Sequence, residues 1–355
     1  MNRAPHPCRL RRAHPRATGL SLVELLVSVA LGLMVLVGVI TVFANSSAAR
    51  NELERSSRQI ENGRYALELL SNDLRIAGFY GELEVGLLPM PAAMPDPCST
   101  AIADWKAAVP IHLQGYDNGA GAPICIPASI KAGTDIVVVR RVRGCLAGVG
   151  ACDAPVAGKP YVQVALCSGE VAAQGALPPP TPYPFGLQGT AAFSFHLRDC
   201  TTVAGQREYL VNIYFVSTDN GAGQSIPTLK RLELAKSGAA LVFTETALVE
   251  GIEWLNIEYG VDTNGDGQPD AVASDPTTYT YAGCTTCTAV NNWSNVVTAR
   301  INVLARNTEP SPGYVDAKTY ALGAQNVAAA SDAYRRHVYS ALVRVANPAG
   351  RRETP

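Results

Sequence analysis

Histidine is scarce in this chain: there are five in 355 residues, and two of them, His6 and His14, precede Gly19. The remaining three, His112, His196 and His337, form no His-Glu-x-x-His helix motif, and no Gly-x-Ser-x-Gly elbow is present. Gly158-Lys159 is not a phosphate loop, because Asp153 stands where the first glycine is required. These absences leave no catalytic constellation to build on, and the sequence is read as a non-enzyme. A basic excess is missing as well. Lys plus Arg number 29 against 30 Asp plus Glu, for a net charge of −1, so the chain lacks the positive footprint of a nucleic-acid binder. No internal repeat is evident. Charge is almost absent from one long stretch: among the 25 residues from Leu20 to Ala44, only Glu24 is charged.

That stretch is long enough to cross a bilayer, which takes about 20 apolar residues. The 19 residues before it carry Arg3, Arg9, Arg11, Arg12 and Arg16 and no acid. Such a basic flank holds the N-terminus in the cytoplasm and sends the rest across. The junction has an unusual order of parts. A signal peptide is cut after its apolar region, whereas here Gly19 precedes the apolar region and Glu24 follows five residues later. A glutamate in a membrane helix costs about 2.5–3.5 kcal/mol and calls for a partner. Cleavage after Gly19 would free an amine on Leu20, which Glu24 of a neighbouring subunit could pair. The simpler alternative is a signal anchor whose Glu24 reaches the interface. Without the five leader arginines the balance becomes 24 basic against 30 acidic residues, or −6.

Beyond Ala44 a helical pattern persists. Leu53, Ile60, Leu67 and Leu74 recur every seven residues, with Leu70 and Ala77 in the adjacent row, and predict one helix from about Leu20 to Ile76. A coiled coil is the weaker alternative, given few paired flanking charges. Gly78 is the expected stop. With 31 Gly and 24 Pro, the rest reads as a β-rich body. Residues 82–128 are expected to be long connections with short strands, and 146–184 an irregular, disulfide-tied excursion. Strands are expected at Asp135–Arg140, Phe193–Leu197, Tyr209–Ser217, Leu229–Ala235, Leu241–Thr244, Val249–Tyr259, Val296–Arg306 and Tyr334–Asn347. Alternation in Leu210–Val216 implies a sheet covered on both faces. Trp254 and Trp293 are expected in the core, Trp105 is a candidate partner contact, and Arg335 and Arg336 are expected at a solvated strand edge.

Cys8 lies before Gly19, and eight cysteines follow it: Cys98, Cys125, Cys145, Cys152, Cys167, Cys200, Cys284 and Cys287. An even number in an exported body points to disulfides in an oxidising compartment. Sequence cannot choose the pairing, although Cys145–Cys152 and Cys284–Cys287 are natural local candidates. Cys284-x-x-Cys287 also resembles half of a zinc site, but no second pair or histidine lies at ligand spacing. One loop has the spacing of a calcium site. Asp262, Asn264, Asp266 and Asp270 occupy positions 1, 3, 5 and 9, Gly267 position 6, and Gln268 would offer its backbone carbonyl. Ala273 stands at position 12, so the bidentate glutamate is missing. The same residues suit a metal-free polar turn between strands. No cofactor is required, and calcium is the one candidate.

The Gly19-Leu20…Glu24 junction resembles the class III signal of type IV prepilins and type II secretion pseudopilins. The resemblance implies cleavage after Gly19 by a prepilin peptidase, methylation of the new N-terminal Leu20, and subunit docking through Glu24. Leu20 departs from the Phe or Met usual there. Asp73-Leu74-Arg75-Ile76-Ala77-Gly78-Phe79-Tyr80-Gly81 is similar to the helix end of PilW-type minor pilins. Tyr259-Gly260 before the Asp-Gly loop, and paired arginines before a closing strand ending Arg344-x-x-Asn347, are similar to the same family.

The fold expected is α+β and pilin-like: a long N-terminal helix packed on an antiparallel β-sheet body with disulfide-tied insertions. Residues 1–19 would be the leader, 20–80 the helix (20–44 transmembrane) and 81–355 the body. The resemblance implies a minor pilin, held in the inner membrane by a single pass with a periplasmic body, then placed at the tip of a surface pilus. Implied partners are other minor pilins, the major pilin, a tip adhesin, the prepilin peptidase and the inner-membrane assembly platform. A type II secretion pseudopilin shares the N-terminal logic, and a calcium-dependent adhesin body on a pilin stem is the alternative of another class.

Overall fold

The computed structural model describes residues 19, 21–175, 185–189, 193–281, 284 and 287–353; the expected leader up to residue 18, Leu20 and Pro178–Pro180 lie outside the described residues. The chain divides after Glu54 into two units. Helix α1, Leu22–Arg75, contributes to both. Its portion in the first unit is almost wholly exposed, apolar side chains included.

The second unit follows from the alternation of its strands. In chain order it contains α2 (Ile102–Ala108), β1 (Leu113–Tyr116), β2 (Ile136–Val142), β3 (Pro160–Gln163), α3 (Ser168–Gly175), β4 (Phe185–Leu187), β5 (Gln206–Ser217), β6 (Thr228–Ser237) and β7 (Ala240–Glu250). There follow β8 (Ile252–Val261), β9 (Ala271–Ala273), α4 (Ala289–Ser294), β10 (Val296–Arg306), β11 (Tyr320–Leu322), β12 (Gln325–Val327), β13 (Arg336–Arg344) and α5 (Ala346–Arg352). The first seven strands form one antiparallel sheet, ordered β1-β2-β5-β3-β4 with β6 on β5 and β7 on β6. A second antiparallel sheet is ordered β13-β10-β8-β9, and β11 and β12 form a hairpin.

Successive residues of a strand face opposite ways, and β5 uses both faces. Tyr214 and Val216 join β8 and β10 side chains, together with Ala66, Leu70 and Leu74 of α1, in one core. Tyr209, Val211, Ile213 and Phe215 join Tyr80, Leu83 and Trp105 in a second core on the other side. The larger sheet is therefore covered on both faces, and α1 is seated on the body through residues 59–74. Long N-terminal helix, antiparallel sheets and four disulfides make this an α+β, pilin-like fold.

Several boundaries differ from expectation. Strand Val249–Tyr259 is two strands, because Gly251 takes a positive φ of 78° and brings its backbone against the Arg306 carbonyl, where a Cβ would lie 2.7 Å away. Residues 193–197 contribute only an isolated bridge, His196 to Val203. Residues 82–128 contain a helix, α2, which carries Trp105 into the second core. The heptad stripe is also displaced. Leu53 and Ile60 are exposed (71% and 44%), and the buried line runs Gln59, Gly63, Ala66, Leu70, Asp73 and Leu74. A straight helix turns every 3.6 residues, so a seven-residue row drifts off the contact line.

Candidate functional site

Gly19 is exposed, and Glu24 lies in the first turn of α1 with its carboxylate facing solvent. Behind it, Leu22, Met34 and Phe43 are more than 70% exposed (73%, 74% and 72%), and none of the most apolar part of the helix is buried. Gly32 and Gly38 have open space where a Cβ would stand. Such notches permit close helix approach in an apolar medium. A surface of this composition is consistent with membrane anchoring.

The body end of α1 obeys a different chemistry. Gln59 donates through Nε2 to the carbonyls of Ala305 (2.8 Å) and Arg335 (3.0 Å), bridging β10 and the approach to β13. Gly63 lies under the Tyr339 ring, where a Cβ would come within 2.3 Å of a ring carbon. Only a glycine permits that approach. Asp73 is buried and accepts from Arg141 Nε (2.6 Å), Asn212 Nδ2 (2.7 Å) and the Tyr214 hydroxyl (2.8 Å). Three donors from two strands satisfy a carboxylate that burial would otherwise penalise.

The helix then ends in a clamp. Gly78 adopts φ +70°, donates its N–H to the Arg140 carbonyl at 2.9 Å, and presses on His112, whose Cβ would lie 2.9 Å from an added one. From the other end of the chain, Asn347 Nδ2 donates to the Ala77 carbonyl (3.2 Å) and Arg351 Nη1 to that of Gly78 (3.2 Å). The two segments singled out in the sequence, Asp73–Gly81 and Arg344–Asn347, thus meet in space. His112 sits beneath, buried, its Nε2 donating to the Val296 carbonyl at 2.8 Å. Burial lowers its pKa to about 3, and Arg351 and Arg352 push in the same direction.

The loop Asp262–Asp270 joins β8 to β9 and folds upon its own amides. The fully buried Asp262 carboxylate accepts from the N–H groups of Gly265 (2.6 Å), Gly267 (2.9 Å) and Asn264 (3.2 Å), with Arg352 Nη1 at 3.3 Å. Asp270 accepts from the backbone N–H of Thr263 and then its hydroxyl, which hold its carboxyl below the usual range. Asp266 accepts from the Gln268 N–H (2.8 Å), and the Asn264 side-chain oxygen from the Asp266 N–H. Gly267 packs against the Ala349 carbonyl of α5. Among the described residues, no group of three or more His, Cys, Asp or Glu is gathered closely enough to hold a metal.

The cysteines pair as Cys98–Cys125, Cys145–Cys152, Cys167–Cys200 and Cys284–Cys287. The first and third close the widest loops, with sequence separations of 27 and 33, and pin the connections around α2 and α3. Trp293 is fully buried, while Trp254 is half-buried, donates to Gln325 and lies under Lys131. Trp105 is core rather than a partner contact. Arg336 overturns the solvated-edge expectation. It is buried and held by Glu253, Asp316 (2.9 Å) and Asp332 (2.6 Å), because the 307–335 connection folds back over the strand edge. Sequence carried little sign of this, since Glu253 and Asp316 are remote along the chain and only Asp332 lies close, four residues before Arg336. The Asp73 network had a faint sign: an acid on the line that otherwise buries Ala66, Leu70 and Ala77.

An exposed apolar helix, held at its far end by a disulfide-bearing β body, has a pilin-like architecture. Residues 213–347 match the family model PilW, described as type IV pilus-assembly protein W, and support a PilW-family type IV pilus protein. No curated protein and no solved structure matches the chain. The matched span supplies most of the grip on α1: the Ala305 and Arg335 carbonyls, Tyr339, the Tyr214 hydroxyl and Asn347. The match supports a role in type IV pilus assembly.

Proposed function

We propose that this chain is a minor pilin that joins other minor pilins in a tip complex and primes polymerisation of the major pilin. The observation that carries this reading is the exposed apolar half of α1, on a helix gripped by the segment matched to PilW. In this reading a prepilin peptidase removes residues 1–19 and methylates Leu20. The helix then passes from the inner membrane into a bundle of neighbouring helices, where Glu24 meets a neighbour's terminal amine. One apolar environment replaces another, so extraction by the assembly platform crosses no water. The bulk of the body suits a tip, beside an adhesin, better than a shaft. A type II secretion pseudopilin would share the helix; the match to a pilus-assembly family favours the pilus. No reaction is assigned to the chain.

The test is intact mass and N-terminal sequencing of protein extracted from its host membrane, with Glu24→Ala beside it. A start at N-methyl-Leu20, and a variant that is processed but absent from sheared pili, are expected. A chain beginning at Met1, or cut beyond Ala44, would sink the proposal.

Within this proposal the Asp262–Asp270 loop is a strand-joining turn that stands without an ion. Its carboxylates are taken up by backbone N–H groups, and Arg352 approaches the one that would be the first ligand. A calcium ion would have to displace these donors without a twelfth-position glutamate. Calorimetric titration of the purified chain should give no calcium heat. A saturable heat that Asp266→Ala removes would restore the calcium site, and with it the adhesin alternative.

A further inference from the structure

The four disulfides close loops of very different size. Cys98–Cys125 and Cys167–Cys200 span sequence separations of 27 and 33, Cys145–Cys152 spans 7, and Cys284–Cys287 spans only 3. A disulfide stabilises a fold by restricting the unfolded chain, and the effect grows with the logarithm of the loop it closes. The bridge that lends the fold least is therefore the one a reductant opens most easily. Loop-closure scaling makes Cys284–Cys287 roughly twentyfold easier to open than the two wide bridges, and about threefold easier than Cys145–Cys152. Both of its cysteines are partly exposed, so a thiol in solution reaches the sulfurs. Their two-residue spacing is that of dithiol exchange motifs.

This small ring sits where a strap of chain meets α4. Cys287 stands one residue before Thr288, whose side chain caps α4 by accepting from the Asn291 N–H at 3.2 Å. The strap, Asp275 to Tyr281, is fastened to the same helix from inside. Asn292, 2% exposed, donates through Nδ2 to the carbonyls of Pro276 and Tyr279, both at 2.8 Å. Trp293 Nε1 donates to Thr277 Oγ1 at 3.0 Å. Tyr281 stacks on Tyr279, with centroids 6.1 Å apart, and its carbonyl accepts from the Cys284 N–H at 3.2 Å. The disulfide thus ties the end of the strap to the cap of α4. Beneath the strap, Trp293 is fully buried, edge-on to Tyr259 of β8 at 4.7 Å between centroids. Its ring also lies against Gly115 of β1, where a Cβ would come within 2.8 Å, so it wedges the end strand of one sheet against the other sheet.

We propose that Cys284–Cys287 is a thiol-exchange site whose reduction loosens the strap over Trp293. The co-reactant is a dithiol. One of its thiolates attacks a sulfur of the pair, a mixed disulfide forms, and the second thiol of the reductant resolves it. Two electrons and two protons pass to Cys284 and Cys287, which become thiols, and the dithiol becomes a disulfide. The other three bridges stay closed. The strap keeps its bonds to Asn292 and Trp293 but loses its covalent tie to the cap of α4. The site is independent of the pilin reading and stands or falls without it.

The full chain in detergent micelles is treated with N-ethylmaleimide to block free thiols, then equilibrated with mixtures of reduced and oxidised dithiothreitol. Newly formed thiols are alkylated with deuterated maleimide and mapped by peptide mass. Cys284 and Cys287 should be modified at a reduced-to-oxidised ratio about tenfold or more below that of the two wide bridges. In parallel, NMR follows the indole N–H signals of the three tryptophans, with Trp105→Phe and Trp254→Phe assigning the other two. The Trp293 signal should shift, and exchange faster with solvent, at the ratio that opens Cys284–Cys287. Cys284→Ser with Cys287→Ser should show the shifted signal without reductant, whereas Cys145→Ser with Cys152→Ser should not. Opening of another bridge first, or of all four together, overturns the exchange site. A Trp293 signal left unchanged both by reduction and in the Cys284/Cys287 double variant overturns the strap.

Discussion

The two halves of α1 reverse the usual distribution of side chains. Its most apolar half, from Leu22 to Phe43, is exposed, whereas the half that is buried turns Gln59, Gly63 and Asp73 towards the body. Hydrophobicity alone therefore does not decide which part of this helix belongs to the fold. The body selects its segment by hydrogen bonds and by the absence of a side chain at Gly63, which is specific to one register of the helix. The exposed half makes no such choice. It offers an apolar surface suited to lipid tails or neighbouring helices alike.

The largest effect should come from breaking the buried half at Asp73. Asp73→Ala removes the acceptor of Arg141, Asn212 and Tyr214 together and leaves a mostly buried guanidinium without its carboxylate. Removing one partner of a buried pair costs about 3–5 kcal/mol. Chemical denaturation should show a loss of that order, with a smaller one for Asp73→Asn, which keeps one acceptor. A loss below about 1 kcal/mol, the scale of a surface pair, would mean that the apolar contacts of Leu70 and Leu74 hold the helix unaided.

How much of this was legible in the sequence differs between the same two halves. The exposed half announces itself through composition, and Gly19 and Glu24 flank its start at fixed spacing. In the body, strands with strong alternation, such as Val296–Arg306, appear where expected, because period-two patterns are local information. The contact line of α1 was misplaced onto Leu53 and Ile60, since the rule of apolar rows gives no weight to a glycine or an aspartate. Pairing across long separations left no local mark. Arg336 with Glu253, and Asn347 with the Ala77 carbonyl, depend on how sheets stack rather than on any neighbouring residue.

A smaller and reversible perturbation reaches the helix end through His112. Its folded pKa, about 3, lies below the ordinary 6.5, because burial disfavours the charged ring. Below pH 6.5 the unfolded chain takes up a proton that the folded chain refuses, so stability falls as pH drops from 6.5 towards 3. The full span corresponds to an upper bound of about 5 kcal/mol. Asp135 acts in the opposite sense: burial raises it to about 7, so its contribution is present below its unfolded value of 3.8 and is lost as pH rises through 7. Comparison of the wild type with His112→Gln isolates the first effect, since the amide keeps a donor for the Val296 carbonyl but does not titrate. The unfolding midpoint of the variant should fall less steeply between pH 6.5 and 4. Parallel curves would show that acid acts elsewhere in the body.

The smallest effect on stability should accompany the largest effect on assembly. Glu24 lies in the exposed half, its carboxylate has no hydrogen bond or ion pair among the described residues, and it belongs to the unit that ends at Glu54. Glu24→Ala should therefore leave the unfolding midpoint of the body unchanged, within the roughly ±0.5 kcal/mol usual for surface substitutions. Under the proposed function the same variant is lost from pili. A body destabilised as strongly as by Asp73→Ala would make the missing pili a folding defect and deprive Glu24 of its docking role. An unchanged body with missing pili would assign the carboxylate to a contact outside the chain, as the reversed burial of α1 implies.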